Sequence, residues 1–570
     1  MMNPEPKDFL LPTAEEPDST VASIREALRC EPDPAVRTRR RFLDDFGWDL
    51  YLAGAALEER IPAPDQPATG QGRRELLWLD LARGGAVVAR QPVDAEPGML
   101  DAVPDGPVRA LLAPVLGIRR LLPMAEVETR AQTLRVLNDD DKTVVRILLE
   151  HHWPAPAAGS GAALPARLHL LPLRGYDREL EKTRERLAEV LRLAPVRSAL
   201  FEDALAAAGR RPGGYSSSLD YKLDPNQRAD AAAKEILLDL LATLEANVDG
   251  ARRNLDSEFL HDLRVATRRT RSALSQIKGV FPQQVVDDFK ARFAWLQQVT
   301  GPVRDLDVYL LSFPELQGRL PKRLRAGLEP LRDWLGAHYA GEQAALAKAL
   351  DSSEFQTMLR EWRAFLEAPV PAGGDAEAAP NADRAIKAVA DERIWRMFKR
   401  VRAEGRAIGD DSPPEDLHEL RKSGKKLRYL MEFFQSLYPA KKIRCLIKQS
   451  KLLLDNLGGF QDLAVQADHL RETAERMHAE GAADVATLLA MGALTGDLLQ
   501  GQQRARREFA RIFAGFDSKA NGQRFRRLFK ADLGSDAASD ATADPRKSGD
   551  GASSSAVAVP VELPAAGTAP

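Results

Sequence analysis

His261, Arg264, Arg268 and Arg271 step along the chain by three, four and three residues, and His418, Arg421, Lys425 and Arg428 repeat that rhythm. On a helix turning roughly 100° per residue, the first set falls at roughly 0, 300, 340 and 280°, which is one face. Leu263, Ala266, Thr270, Leu274 and Ile277 take the opposite side, the face that packs into a bundle. Lys422 and Tyr429 lie beside the second stripe. A third stripe, Lys441, Arg444, Lys448 and Lys451, follows in a segment without an acid, with Ile443, Leu446, Ile447 and Leu454 on another side. Solvated helix faces commonly set acids four residues from bases. Here residues 261–278 hold five Lys/Arg against Asp262 alone, and residues 418–429 hold five against Glu419. Like charges at that spacing repel by about 0.2–0.5 kcal/mol per pair. An external polyanion makes such an arrangement useful, because Arg offers phosphate oxygens a bidentate fork and Lys a mobile point charge.

Other chemistries fit these residues less well. Single-stranded nucleic acid calls for aromatic stacking platforms, and the stripes carry only Tyr429, so a phosphate polymer without bases is expected and nucleic acid is disfavoured. The two histidines sit among cations that repel a metal ion, and a site needs three or four suitable ligands; no metal site is expected. Asp305 and Asp462 each follow a glycine-containing segment, where an acid either caps a helix or pairs with a stripe residue. No Ser/His/Asp set, phosphate loop or dinucleotide fingerprint stands out, so no catalytic residue is assigned.

The elements that must position these stripes can be read from composition. The chain has 570 residues, 81 Lys plus Arg, 83 Asp plus Glu and a formal net charge of -2. That length implies several domains, and the near-neutral sum hides the local stripes. Cys30 and Cys445 cannot make a disulfide framework. No stretch approaches the roughly 20 apolar residues of a membrane helix, and the first residues lack a signal-peptide pattern, so a cytoplasmic protein without membrane partners is expected. Up to residue 210 the chain is α+β: 75–81 (ELLWLDL) and 143–149 (TVVRILL) read as half-buried strands, and 176–193 as a helix. From 224 to 530 long amphipathic helices are expected, interrupted by a Pro/Gly/Ala linker at 368–382. Residues 534–570 lack aromatics and read as a disordered tail.

The helical region contains a repeat. His261 and His418, Phe281 and Tyr438, Gly301 and Gly458, and Asp305 and Asp462 are all separated by 157 residues. Two modules follow, about 226–367 and 383–530. The segments HDLRVATRRTR and HELRKSGKKLR, followed by FP or YP and then GPVRD or GGFQD, resemble the CHAD domain, the conserved-histidine α-helical domain. That resemblance implies two four-helix bundles related by a pseudo-twofold axis and a basic surface or channel for inorganic polyphosphate. It places binding on His261, Arg264, Arg268 and Arg271 and on His418, Arg421, Lys425 and Arg428. Lys448 and Lys451 correspond to Ala291 and Ala294 in the first copy, so the second module is expected to hold more of the anion.

Residues 41–60, 127–149 and 170–176 (ending LRGY) resemble the CYTH, or triphosphate-tunnel, family. The implied fold is an antiparallel β-barrel whose inward acids hold divalent metal and whose inward bases hold a triphosphate. The family's E-x-E-x-K signature is damaged: Asn3-Pro4-Glu5-Pro6-Lys7 lacks one acid and carries two prolines, and Glu126-x-Glu128-x-Arg130 lies at the wrong end of the domain. A degenerate CYTH-like domain over 1–210 is therefore expected, with no cofactor; Mg or Mn enters only if the tunnel is active.

The expected function is polyphosphate binding by the 224–530 region, in association with polyphosphate granules. The alternative is an inorganic triphosphatase or polyphosphatase in which the helical half feeds a metal-dependent tunnel. A histidine among arginines has a depressed pKa until phosphate arrives. Polyphosphate affinity should therefore rise below about pH 6.5, and His261→Gln plus His418→Gln should flatten that rise in a binding titration.

Overall fold

The computed structural model describes residues 7–11, 16–63, 73–155, 163–196, 198–370 and 377–530. The tail at 534–570, residues 3–6 and residues 371–376 of the linker lie outside the described residues.

The amino-terminal third is an antiparallel sheet. Its strands are β1 (Asp8–Leu10), β2 (Cys30–Pro32), β3 (Val36–Asp44), β4 (Ala55–Pro62), β5 (Glu75–Asp80), β6 (Ala86–Pro92), β7 (Leu122–Leu137), β8 (Thr143–Pro154), β9 (Leu164–Pro172) and β10 (Ala194–Pro195). Among the described residues the pairing runs β10-β1-β9-β8-β7-β3-β4-β5-β6, with β2 also on β7. Helices α1 (Pro17–Ala27), α2 (Asp49–Leu52), α3 (Pro107–Leu116), α4 (Asp177–Val190) and α5 (Leu200–Ala207) flank it. Among the described residues β1 begins at Asp8. β5 differs from the half-buried strand its pattern suggests. Leu76 and Trp78 enter one apolar cluster with α3, and Leu77 and Leu79 enter another with Phe201 of α5. Helices cover both faces, so Leu76 to Leu79 are all buried.

The rest of the described chain is helical: α6 (Ala229–Arg252), α7 (Ser257–Gln276), α8 (Gln283–Val299), α9 (Gly301–Arg319), α10 (Lys322–Arg325), α11 (Glu329–Leu350), α12 (Ser353–Glu367), α13 (Ile386–Ala407), α14 (Pro414–Phe433), α15 (Ala440–Ala479), α16 (Val485–Phe516) and α17 (Lys519–Phe529). The repeat is visible in the helix starts: 229 and 386, 257 and 414, and 283 and 440 all differ by 157. The copies diverge at the glycine segment. Thr300 ends α8, and Gly301 begins α9, whereas α15 runs unbroken through Gly458 and Gly459.

Where the copies meet, their contacts are reciprocal. The Ala229 N–H donates to the Arg384 carbonyl and the Ile386 N–H to the Gln227 carbonyl, each at 2.9 Å. Each bond is the image of the other under the 157-residue shift, and between them Arg228 bridges its own counterpart, Ala385. Tyr309 likewise donates to the carbonyl of its counterpart, Gln466, at 3.2 Å. Self-complementary contacts of this kind define a local twofold. One apolar cluster spans both copies, from Leu237 and Trp362 to Phe398 and Leu430, and a second joins α9 and α11 to α15 and α16.

The sheet domain grips the start of α7. Arg119 lies 3.6 Å from Asp256, the N-cap of α7, and 3.5 Å from Asp262, while the Arg120 N–H donates to Asp256 at 3.0 Å. Tyr215 donates to Asp262 at 2.8 Å, and its ring and that of Phe259 flank Phe46. Gly250 permits this junction, because a Cβ there would sit 2.1 Å from the Phe259 ring. Gly250→Ala should therefore overpack the α6–α7 contact and destabilise the protein by about 1–3 kcal/mol, read as a lower midpoint in chemical denaturation.

Candidate functional site

Small residues bring α14 and α15 close together. A Cβ on Gly424 would lie 2.9 Å from Leu454, and one on Gly458 would lie 3.6 Å from the Arg421 guanidinium. A cleft of about 290 Å³ opens along this seam, lined by Arg421, Lys425 and Arg428 from α14 and by Leu454, Asp455, Gly458, Gly459 and Asp462 from α15. The first copy contributes from α7: Arg268 Nε donates to the Tyr429 hydroxyl at 2.9 Å. The stripes of the two copies thus meet, which the one-dimensional pattern did not reveal.

The cations repel one another. Burial, and then the charges of Arg421, Arg268 and Arg428, push Lys425 down to about 8 against the opposing pull of Asp462. The cleft is not free of acid, however. Arg421 Nη2 donates to Asp462 at 2.9 Å, and Arg428 pairs with Glu432 at 3.2 Å. Asp462 therefore pairs with the stripe and does not cap a helix, since it lies inside α15. The Arg421 Nε and the His418 Nδ1 are buried without a hydrogen-bond partner among the described residues.

The remaining stripe residues are placed differently. Arg264, the counterpart of Arg421, is spent inside the fold: its Nη1 donates to the Gln297 carbonyl and the Thr300 hydroxyl, each at 2.8 Å, and burial pushes it down to about 10. Arg271 is half-buried one turn farther along α7. Lys422 is exposed and donates to Glu419 at 2.7 Å. Lys441, Arg444, Lys448 and Lys451 are exposed on the opening turns of α15, outside the cleft lining. Neither histidine lines it. Burial and Arg304 lower the pKa of His261, so its titration lies below the ordinary histidine range. Asp455 and the two glycines that open the cleft escaped the charge-based reading; the glycine pair preceding Asp462 was the available signal.

One face of the sheet carries acids and bases too, but they neutralise one another. Glu58 accepts two bonds from Arg40 at 2.6 and 2.9 Å and two from Arg60 at 2.5 and 3.5 Å. Burial raises Glu58, but these guanidiniums outweigh it and hold the carboxyl below its usual range. Glu150 lies 3.5 Å from Arg40 and 3.4 Å from His169, and His169 Nδ1 is 2.7 Å from Asp8. Burial disfavours charge on His169, yet the two carboxylates raise it to about 9. Glu128 is exposed and Glu126 half-buried, alternating with buried Val127 and Thr129. This acid set is already matched by guanidiniums and imidazole, and it does not fit a divalent metal. Among the described residues no group of three or more His, Cys, Asp or Glu gathers as a metal site.

Residues 235–471 match the family model of the CHAD domain, and that segment of the chain is a CHAD domain. Uncharacterized proteins from two strains of Mycobacterium tuberculosis are 25% identical over 498 residues, covering 80% of this chain and 87% of theirs. Among solved structures, the CHAD domain from the plant Ricinus communis is 25% identical with a TM-score of 0.44, covering 53% of this chain and 96% of that one. PptA from Streptomyces chartreusis is 16% identical with a TM-score of 0.40, covering 50% and 99%. CHAD domains as a family are linked to polyphosphate binding. Among the described residues no helix is long and apolar enough to cross a membrane.

Lys425 sets a pH signature for the cleft. It is charged below about 8, and a bound anion stabilises that charged form, so binding takes up protons as pH rises through 8. Affinity for an anion held in the cleft should fall about tenfold between pH 7 and 9, and Lys425→Arg, always charged, should remove the dependence in calorimetric titrations.

Proposed function

We propose that this protein binds inorganic polyphosphate in the α14–α15 cleft, with Arg268 of the first repeat completing the site. The supporting observation is the convergence of Arg268, Arg421, Lys425 and Arg428 at one seam, close enough to depress the Lys425 pKa. Such crowding is costly without an anion and favourable with one. A polymer of phosphates matches the site better than nucleic acid, because the nearby ring of Tyr429 is engaged by Arg268 and lies 5.2 Å from the Arg428 guanidinium. The second repeat carries most of the contacts, since Arg264 is committed to the fold while Arg421 keeps a free Nε. In this reading residues 224–530 form the binding module, residues 1–210 a non-catalytic CYTH-like domain, and the protein acts in the cytoplasm at polyphosphate granules.

Full-length protein with Arg421→Glu plus Lys425→Glu should lose at least about tenfold in affinity for labelled long-chain polyphosphate, whereas Asp462→Asn, which frees Arg421, should bind more tightly. Equal binding by the double variant would falsify the site. Incubation of tripolyphosphate with Mg or Mn should release no phosphate; turnover would revive the triphosphatase reading.

A further inference from the structure

The helix that closes the described chain has a surface that the cleft does not account for. Between Lys519 and Lys530 stand Lys519, Arg524, Arg526, Arg527 and Lys530 without one Asp or Glu, and all five are exposed. Among the described residues none of them forms an ion pair or a side-chain hydrogen bond. Several exposed arginines elsewhere on the second repeat are matched at i,i+4, as in Arg396 with Glu392, Arg400 with Glu404 and Arg471 with Glu475. The helix macrodipole favours cations in the last turn of α17, but Lys519 and Arg524 lie before that turn. Asp517, the acid just before the helix, is already bound by Arg402 and Arg406.

The other face of α17 fixes these cations in place. Phe525 and Phe529 are fully buried, and Phe525 stacks on Phe398 with ring centroids 3.8 Å apart. Phe529 meets Tyr438 edge-on at 5.0 Å. Tyr438 lies two residues before α15, so the end of α17 abuts the start of the helix that carries Lys441, Lys442, Arg444, Lys448 and Lys451. None of these is ion-paired among the described residues. From Lys441 to Lys451 the stripe rises about 15 Å along α15, and one turn beyond it Leu454 and Asp455 line the cleft. Acid-poor, unpaired cations therefore extend from the cleft along α15 to the corner where α17 begins its own basic face.

We propose that the outer face of α17, joined to the opening turns of α15, is a second docking surface for condensed phosphate, engaged by chains long enough to leave the cleft. The inference rests on the polyphosphate reading and adds chain-length selection to it. A short anion fills the cleft and stops; a long one continues onto α15 and α17 and releases further counterions.

The test compares tripolyphosphate with long-chain polyphosphate on four full-length proteins across a salt series. These are the wild type, a cleft variant (Arg421→Gln plus Lys425→Gln), an α17 variant (Arg526→Gln, Arg527→Gln and Lys530→Gln), and a control losing three charges beside and within α4 (Arg174→Gln, Arg178→Gln and Lys182→Gln). The expected result is that the α17 variant loses about tenfold in long-chain affinity with a salt slope shallower by about two, near 0.7 per lost phosphate contact. Its tripolyphosphate affinity, and both affinities of the control, should match the wild type. The inference is overturned if the α17 variant keeps its long-chain affinity and salt slope, if it loses tripolyphosphate equally, or if the control falls as far. Loss of long-chain binding in the α17 variant with an unaffected cleft variant would refute the cleft and leave the α17 surface standing. No binding of either polyphosphate by the wild type would remove both.

Discussion

Mutual repulsion among Arg268, Arg421, Lys425 and Arg428 is the constraint around which the helical half is arranged. Four cations at one seam repel one another, and burial together with these charges holds Lys425 below its usual range. The apolar cluster that runs through both repeats supplies the opposing force, since Leu263, Leu427, Leu430 and Leu457 are buried directly behind the charged faces. Glycines at 424 and 458 let the helices approach closely enough for their side chains to share one cleft. Asp462 and Glu432 relieve part of the repulsion without cancelling it.

The sheet domain handles the same residue types in the opposite way. Glu58, Arg40, Glu150, His169 and Asp8 alternate acceptors and donors in a chain, so each of these charges has a partner. Such a network satisfies its own members and leaves little field for a ligand, whereas the α14–α15 cleft leaves positive charge incompletely matched. The two halves are nevertheless coupled. Arg119 and Arg120 hold the N-cap of α7, and Asp262, the residue after the first repeat's histidine, is gripped by Arg119 and Tyr215. The stripe that delivers Arg268 is thereby anchored to the sheet.

The two seams differ because the repeats diverge. Thr300 interrupts the first copy and draws Arg264 inward with its hydroxyl. The corresponding stretch of α15 is continuous, so Arg421 stays at the rim. Ala291 and Ala294 stand where Lys448 and Lys451 extend the basic surface of the second copy. The two modules thus differ in helix continuity as well as in charge.

Much of this was legible in one dimension. The 157-residue spacing, the helical periodicity and the α+β character of the first third follow from residue types alone, because apolar period and turn chemistry act locally. The second repeat's basic face was equally legible, as side chains three and four residues apart must share a side of a helix. What spacing could not decide was which charges remain available. Arg264 and Arg421 are equivalent in sequence, yet one is consumed by Thr300 and the other faces a cleft; Arg268 meets Tyr429 across 161 residues of chain. β5 is buried on both faces because helices distant in sequence cover it. The sequence by itself determined the periodic faces and the repeat; tertiary structure alone decided which cations converge and which are neutralised, because Coulomb energy depends on distance and burial between segments that no local pattern brings together.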